Sequence, residues 1–171
     1  MKPVTWSYSS LGLFQQCPRK YYHLRVLKDY VEPENEHMLY GKMVHEAAEF
    51  HIRDGVPVPE KYSFLTPVLD VLKEIPGQKH CEYKMGLTED LEACGFFDKK
   101  VWYRGIADLI IVHENKAINL DYKTGKRKLT EQLELYAAYT FACFPQVKEV
   151  ETGFVWLKDK RIDKEKFTRD D

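Results

Sequence analysis

Apolar residues recur at helical intervals in the first part of the chain and at strand-like intervals in the second. Residues 1–77 contain three segments in which apolar positions lie three or four residues apart. Residues 78–171 contain shorter apolar runs separated by turn-forming residues, and one strong helical segment at 129–144. This order predicts an α/β fold with a central mixed β-sheet flanked by helices. We expect a single domain over residues 1–171, with a mainly helical N-terminal part and a sheet core.

The clearest of the early helices is predicted to end at Gly55, a residue that commonly terminates helices. Its apolar positions Leu39, Met43, Ala47 and Phe50 follow a helical spacing. These positions mark an apolar stripe along the helix.

The composition is that of a folded protein. Of the 171 residues, 44% are apolar and 13% are aromatic, which suits one hydrophobic core. No apolar run approaches the roughly 18 residues that a membrane helix needs, and the first residues lack the apolar core of a signal peptide. We expect a cytoplasmic protein. The four cysteines contain no CxxC pair, which argues against a zinc ribbon.

The net charge of -1 does not indicate a nucleic-acid partner, so such a partner would need a local basic patch. Two clusters are candidates: Arg19, Lys20, Arg25 and Lys28 in the first, and Lys123, Lys126, Arg127 and Lys128 in the second. Composition alone favours a simpler explanation, in which both clusters are solvated surface.

Two aspartates, Asp108 and Asp121, lie in segments that otherwise resemble core strands. If these strands form a hairpin whose turn centres between Glu114 and Asn115, the two aspartates face each other. Lys123 then shares their face, because residues i and i+2 of a strand point the same way. A β-bulge would shift this register by one residue.

Two carboxylates that converge on a half-buried sheet repel each other unless one is protonated or a cation joins them. Oxygen ligands without thiolates favour Mg²⁺ or Mn²⁺. Carboxylates, a metal and a lysine together can hydrolyse phosphodiesters. The simpler explanation is ordinary ion pairing, of Asp121 with Lys123 or of Asp108 with Arg104.

Polar residues on two predicted helices could join this site. His45 lies four residues after Gly41 and four before Glu49, along one helical face. Gln132 and Tyr136 form a similar i, i+4 pair on the helix after the hairpin. Taken singly, His45 would be explained as an ordinary core or surface histidine. Gln132 and Tyr136 would be explained as part of an ordinary helix surface.

Five segments, taken in order, resemble the RecB-like branch of the PD-(D/E)XK nuclease superfamily, which includes the CRISPR-adaptation nucleases. They are SSLGLFQQCPRKYY, GKMVHEAAE, GIADLI, LDYKTGK and QLELYAAY, and they span residues 9–139. The resemblance implies a restriction-endonuclease-like core. It also implies metal-dependent hydrolysis of DNA, which we expect to be that of an exonuclease with little sequence specificity.

The resemblance assigns a role to each matched residue. The implied ligands of one or two Mg²⁺ or Mn²⁺ ions are His45, Asp108, Asp121 and the backbone carbonyl of Tyr122. The implied catalytic group is Lys123, Asp108, Asp121, Gln132 and Tyr136. For nucleic-acid binding we expect Arg19, Lys20, Lys126, Arg127 and Tyr136. Glu82, in the strand before the hairpin, is a looser match that could add a carboxylate.

Some relatives carry an iron-sulfur cluster that uses three cysteines near the C-terminus. Only Cys143 follows Lys123 here, so we expect no such cluster. The implied partners are DNA with single- or double-stranded ends and a helicase or recombination protein, without a membrane. The implied setting is recombination, repair or phage DNA processing, in a bacterial or phage-infected cell. A structure-specific endonuclease, or a non-catalytic nucleic-acid-binding protein on the same fold, stays open.

Overall fold

The computed structural model describes residues 4–126 and 131–170. The helices are α1 (Tyr8–Gln16), α2 (Pro18–Tyr21), α3 (Glu36–Asp54), α4 (Thr66–Glu74) and α5 (Gln132–Cys143). A π-helical segment at Tyr22–Leu27 follows α2, and a 3-10 segment at Glu60–Leu65 precedes α4. The strands are β1 (Gln78–Leu87), β2 (Ala93–Cys94), β3 (Tyr103–His113), β4 (Lys116–Lys123), β5 (Glu149–Trp156) and β6 (Arg161–Thr168).

The strands form a six-stranded mixed sheet in the order β2-β1-β3-β4-β5-β6. Strands β4 and β5 are parallel, and the other neighbouring strands are antiparallel. A parallel pair needs a long crossover connection, and α5 lies in that connection. The predicted α/β class is therefore confirmed, and the sheet with its flanking helices is consistent with a restriction-endonuclease-like fold.

Helices cover both faces of the sheet and create two hydrophobic cores. On one face, Tyr139 of α5 packs with Ile110 and Phe154 of the sheet. On the other face, α3 and α4 pack against Leu109 and Leu120. Each fully buried side chain of this kind stabilises the fold by about 1.5–3 kcal/mol. The candidate site lies between these cores, where β3 and β4 separate.

The structure confirms the helix that was predicted to end at Gly55, whose φ of 71° is left-handed. The apolar stripe seen in the sequence is not the buried face of this helix, because Leu39, Met43 and Phe50 are exposed. The buried positions are Val44, Ala48, His51 and Ile52. Apolar residues occupy two adjacent stripes of α3, and the stripe with small Ala48 and branched Val44 is the one that packs on the sheet.

The helix predicted at 129–144 is described from Gln132 onward, and its first residues and Arg127 lie outside the described residues. Within residues 4–126 and 131–170, every helix is too short or too polar to cross a membrane.

Candidate active site

Strands β3 and β4 form the predicted hairpin, with its turn at Glu114 and Asn115. The pairs run from His113 with Lys116 to Leu109 with Leu120, and this is the predicted register. Beyond Leu120, β4 continues to pair with β5 on its other side. The two strands of the hairpin therefore separate at the two aspartates.

Asp108 and Asp121 lie directly beyond the last pair of the hairpin. Oδ2 of Asp108 accepts a hydrogen bond from the backbone N–H of Tyr122 at 2.5 Å. The two aspartates are only 8% and 6% exposed. Since a buried carboxylate is costly unless it is paired or hydrogen-bonded, the contacts of each aspartate decide what the site can do.

On the α3 side of the sheet, Asp108 joins His45 and Glu82. One potential ligand atom of each residue lies within 4.8 Å of the other two. Nδ1 of His45 is 3.2 Å from Oδ1 of Asp108. Glu82 of β1 lies opposite Asp108 of β3, between the pairs of Cys81 with Leu109 and Tyr83 with Ala107. It has a left-handed φ of 48°. This conformation is unusual for glutamate and is found mostly where surrounding structure imposes it.

Electrostatics show that this group carries concentrated negative charge. Burial and then the charge of Asp108 raise the pKa of Glu82 to about 7. Burial lowers the pKa of His45, but the hydrogen bond and charge of Asp108 outweigh it and raise that pKa to about 9. Burial and the charge of Asp108 also raise the pKa of Asp121. Each carboxylate would therefore be stabilised by an added cation.

The group formed by His45, Glu82 and Asp108 fits a hard divalent cation. It offers one imidazole nitrogen and two carboxylates, and it contains no thiolate, a set that suits Mg²⁺ or Mn²⁺. Glu82 is thus a stronger candidate ligand than its loose sequence match indicated. Its backbone conformation, which brings it beside Asp108, leaves no signal in the sequence.

On the α5 side, Asp121 is the centre of a second group. Nζ of Lys123 lies 2.7 Å from Oδ2 of Asp121 and 3.0 Å from Oε1 of Gln132. The Tyr136 hydroxyl donates to Oδ1 of Asp121 at 2.6 Å and accepts from Nε2 of Gln132 at 2.7 Å. The ion pair of the simpler explanation, Asp121 with Lys123, is therefore present, and it belongs to a network of four side chains.

A buried pair holds α5 over β4. Nδ2 of Asn119 donates to Oγ1 of Thr140 at 2.9 Å, and Thr140 donates to the carbonyl of Tyr136 at 2.7 Å. Asn119 and Thr140 are both fully buried. This anchor, which the sequence analysis missed, fixes the turn of α5 that presents Tyr136 to Asp121.

Two openings reach these groups. A cleft of about 1150 Å³ reaches the α5 side, where it is lined by Lys123, Gln132 and Tyr136. A smaller opening of about 380 Å³ reaches the α3 side, where His45 and Glu82 line it. The predicted site residues are thus divided between two accessible surfaces that meet at the gap between β3 and β4.

The residues predicted to bind nucleic acid are placed differently. Arg19 and Lys20 are not among the residues that line the cleft, and Lys20 pairs with Glu32 at 2.8 Å. Arg25 and Lys28 of the same basic cluster do line it. Lys126 is exposed just after β4. The proposed role of the Tyr122 carbonyl stays a prediction.

Comparisons with known proteins place this geometry in context. The family model for the PD-(D/E)XK nuclease superfamily matches residues 5–78, which include His45. No curated protein matches the sequence. Among solved structures, the crystal structure of SSO0001 is similar, with a TM-score of 0.45 and 16% identity over 96% of this chain and 67% of that chain.

The family match suggests a metal-dependent nuclease, since members of this superfamily use divalent metals and act on nucleic acids. The group of His45, Glu82 and Asp108 is a possible site for such a metal. The RecB-like branch stays a prediction. The match over residues 5–78 is to the superfamily that the sequence motifs predicted, that of the PD-(D/E)XK nucleases.

Proposed function

We propose that this protein is a metal-dependent nuclease that hydrolyses phosphodiester bonds of DNA, as an exonuclease with little sequence specificity. One observation carries the proposal: side chains from α3, β1, β3, β4 and α5 converge on the gap between β3 and β4. We propose that residues 1–171 act as one nuclease domain, in recombination, repair or phage DNA processing.

Residues on both sides of the gap would hold the metal. His45, Glu82 and Asp108 are the first candidates, and Asp121 and the Tyr122 carbonyl are further ones. A bound Mg²⁺ or Mn²⁺ would supply a water of lowered pKa and would neutralise charge on the phosphoryl oxygens. Asp108 connects the two sides, because one of its oxygens contacts His45 and the other accepts from Tyr122.

Lys123 supplies a fixed positive charge at the cleft. Its ammonium group is held by Asp121 and Gln132 and lies 4.9 Å from the centre of the Phe154 ring. We infer that it stabilises the negative charge that develops on the phosphoryl group. Gln132 and Tyr136 act through Asp121, whose carboxylate they orient, and are therefore positioning residues. A lysine and a metal at this position would contact the phosphate rather than the base, so we expect low sequence specificity.

A cleavage assay tests this proposal. The substrates are linear DNA labelled at either end, single- and double-stranded, and circular single-stranded DNA, with Mg²⁺ or Mn²⁺ and with EDTA as the blank. Lys123→Ala should lower the rate by about 100-fold or more while DNA binding persists. Lys116→Ala is the matched control, because Lys116 begins the same strand that Lys123 ends, and it should cut like wild type.

The pattern of products distinguishes the alternatives. Loss of linear DNA with intact circles identifies an exonuclease, and the labelled end gives its direction. Cutting of the circles would identify an endonuclease and contradict the exonuclease part of the proposal. DNA binding without cleavage under either metal would contradict hydrolysis altogether, and would favour a non-catalytic nucleic-acid-binding protein.

A further inference from the structure

The two openings differ in charge. The described lining of the α5-side cleft contains the cations Arg25, Lys28, Arg104 and Lys123 and no aspartate or glutamate. The smaller opening is lined by Glu46, Glu49 and Glu82 together with Lys42 and His45. A polyanion is attracted to the first surface, whereas the carboxylates of the second suit the metal cation of the proposed function. The α5-side cleft is therefore the more favourable entrance for a nucleic-acid strand.

A β-turn at the rim of this cleft carries two adjacent phenylalanines. The N–H of Asp98 donates to the carbonyl of Gly95 at 2.9 Å, which places Phe96 and Phe97 at the two central positions. Such positions usually hold Gly, Pro, Asn, Asp or Ser, which suit the turn backbone. Phe96 lines the cleft, and Phe97 is 77% exposed. The geometry of the turn does not explain why a phenylalanine is exposed at position 97.

Arg104 holds this turn in place. Its Nη1 donates to the carbonyl of Phe96 at 3.4 Å, and its guanidinium carbon lies 4.8 Å from the Phe96 ring and 5.9 Å from the Phe97 ring. The two rings pack edge to face at 4.9 Å. Nζ of Lys84 lies 5.8 Å from the Phe97 ring. The exposed ring of Phe97 thus lies near two cations, Arg104 and Lys84, in the protein without ligand.

We propose that Phe96, Phe97 and Arg104, here called the rim platform, bind an unpaired nucleic-acid strand as it enters the cleft. Phe97 stacks on a base, and Arg104 and Lys84 contact phosphates. An unpaired strand is the occupant because stacking needs a free base face, which single strands offer and bases inside a duplex do not.

This inference deepens the proposed function, on which it rests for the fate of the bound strand, but binding can be measured without cleavage. Fluorescence anisotropy of the full chain carrying Asp121→Asn is the test. The probes are a labelled single-stranded DNA, an RNA of the same sequence, and a blunt DNA duplex. Phe97→Ala should weaken single-strand binding by about 5-fold or more. It should change the affinity for the duplex by less than about twofold.

Two further variants control for lost apolar surface and for misfolding. Phe97→Trp should keep single-strand affinity, because the indole ring also stacks. Val71→Ala removes a 64% exposed apolar side chain from α4, away from the cleft, and should change nothing. A strand that contains 2-aminopurine should be quenched less by Phe97→Ala than by wild type, since stacking quenches this base.

Salt titration separates stacking from charge. Phe97→Ala should leave the slope of log affinity against log salt unchanged. Arg104→Gln should reduce that slope by about 0.7, the value for one phosphate contact on a single strand. An equal fall in slope for both variants would contradict the division of roles.

The outcomes separate this inference from the proposed function. Single-strand binding that is unchanged by Phe97→Ala, or weakened equally with duplex binding, overturns the rim platform. Equal effects of Phe97→Ala on DNA and RNA binding support recognition of any unpaired base. An effect on one polymer alone supports the platform and identifies which nucleic acid it binds. If wild type cuts nothing but binds single strands through Phe97, the proposed function fails and this inference stands.

Discussion

At the scale of single residues, Glu82 is the candidate ligand that its backbone singles out. A left-handed φ of 48° within a strand costs on the order of 1–3 kcal/mol. The surrounding sheet sustains that cost, and the result is a carboxylate beside Asp108, which repels it. A residue that is both strained and repelled in the metal-free protein makes sense if a cation binds there.

The prediction for Glu82 concerns metal binding and stability together. Mn²⁺ should raise the melting temperature of wild type, because a ligand that binds only the folded state stabilises it. Glu82→Gln should reduce this rise, since one negative ligand is lost. In EDTA the same variant should be at least as stable as wild type, because the repulsion with Asp108 is removed. Thermal unfolding with and without Mn²⁺ measures both effects.

Glu74→Gln provides the control for this measurement. Glu74 is an exposed residue at the end of α4, so its substitution should leave the response to Mn²⁺ unchanged. An equal rise in melting temperature for wild type and Glu82→Gln would remove Glu82 from the metal site.

At the scale of elements, two glycines should respond to alanine in opposite directions. Gly12 lies within α1, and a Cβ there would meet no atom within 4 Å, so Gly12→Ala should stabilise the fold by about 0.5–1 kcal/mol. Gly77 joins α4 to β1 with a φ of 130°, and a Cβ there would lie 2.7 Å from the carbonyl oxygen of Val112. Gly77→Ala should destabilise the fold by more than about 1 kcal/mol.

Chemical denaturation of the two variants checks this pair, and each serves as the control of the other. Loss of stability in both would mean that the N-terminal helix packs more tightly at Gly12 than the structure shows. No loss at Gly77→Ala would mean that the connection between α4 and β1 tolerates a different backbone.

The elements were largely predictable, because their signals are local. The hairpin register followed from the positions of its turn residues, and the end of α3 followed from Gly55. The buried face of α3 was not predictable, because apolar residues lie on two adjacent stripes. The separation of β3 from β4 was not predictable either, since it depends on Asp108 accepting the N–H of Tyr122.

The lining of the cleft was also beyond local signals. The N-terminal segment runs beside the start of β3, where Trp6 forms a parallel bridge with Tyr103 and its carbonyl accepts the N–H of Arg104 at 2.9 Å. Of the basic cluster that follows this segment, Arg25 and Lys28 line the cleft, and Arg19 and Lys20 do not. The sequence analysis had selected Arg19 and Lys20 from this cluster for nucleic-acid binding.

At the scale of the whole molecule, the net charge of -1 conceals a separation of charge. Cations line the α5-side cleft, and carboxylates line the smaller opening. At physiological ionic strength, exposed charges are screened beyond about 8 Å. The affinity for a bound strand therefore depends on the local charge of the cleft and hardly on the net charge of the chain. We therefore expect nucleic-acid binding to depend strongly on salt, although the net charge of the protein does not predict this.

The last prediction concerns the origin of that salt dependence. If the four cleft cations and Lys84 all contact phosphates, log affinity for a single strand should fall with log salt with a slope near -3.5, at about 0.7 per contact. Arg25→Gln should reduce the slope by about 0.7. Lys166→Gln, on β6 and paired with Glu149 at 2.9 Å, removes the same charge elsewhere and should leave the slope unchanged. Equal effects of the two variants would show that total charge, and not the cleft, governs binding.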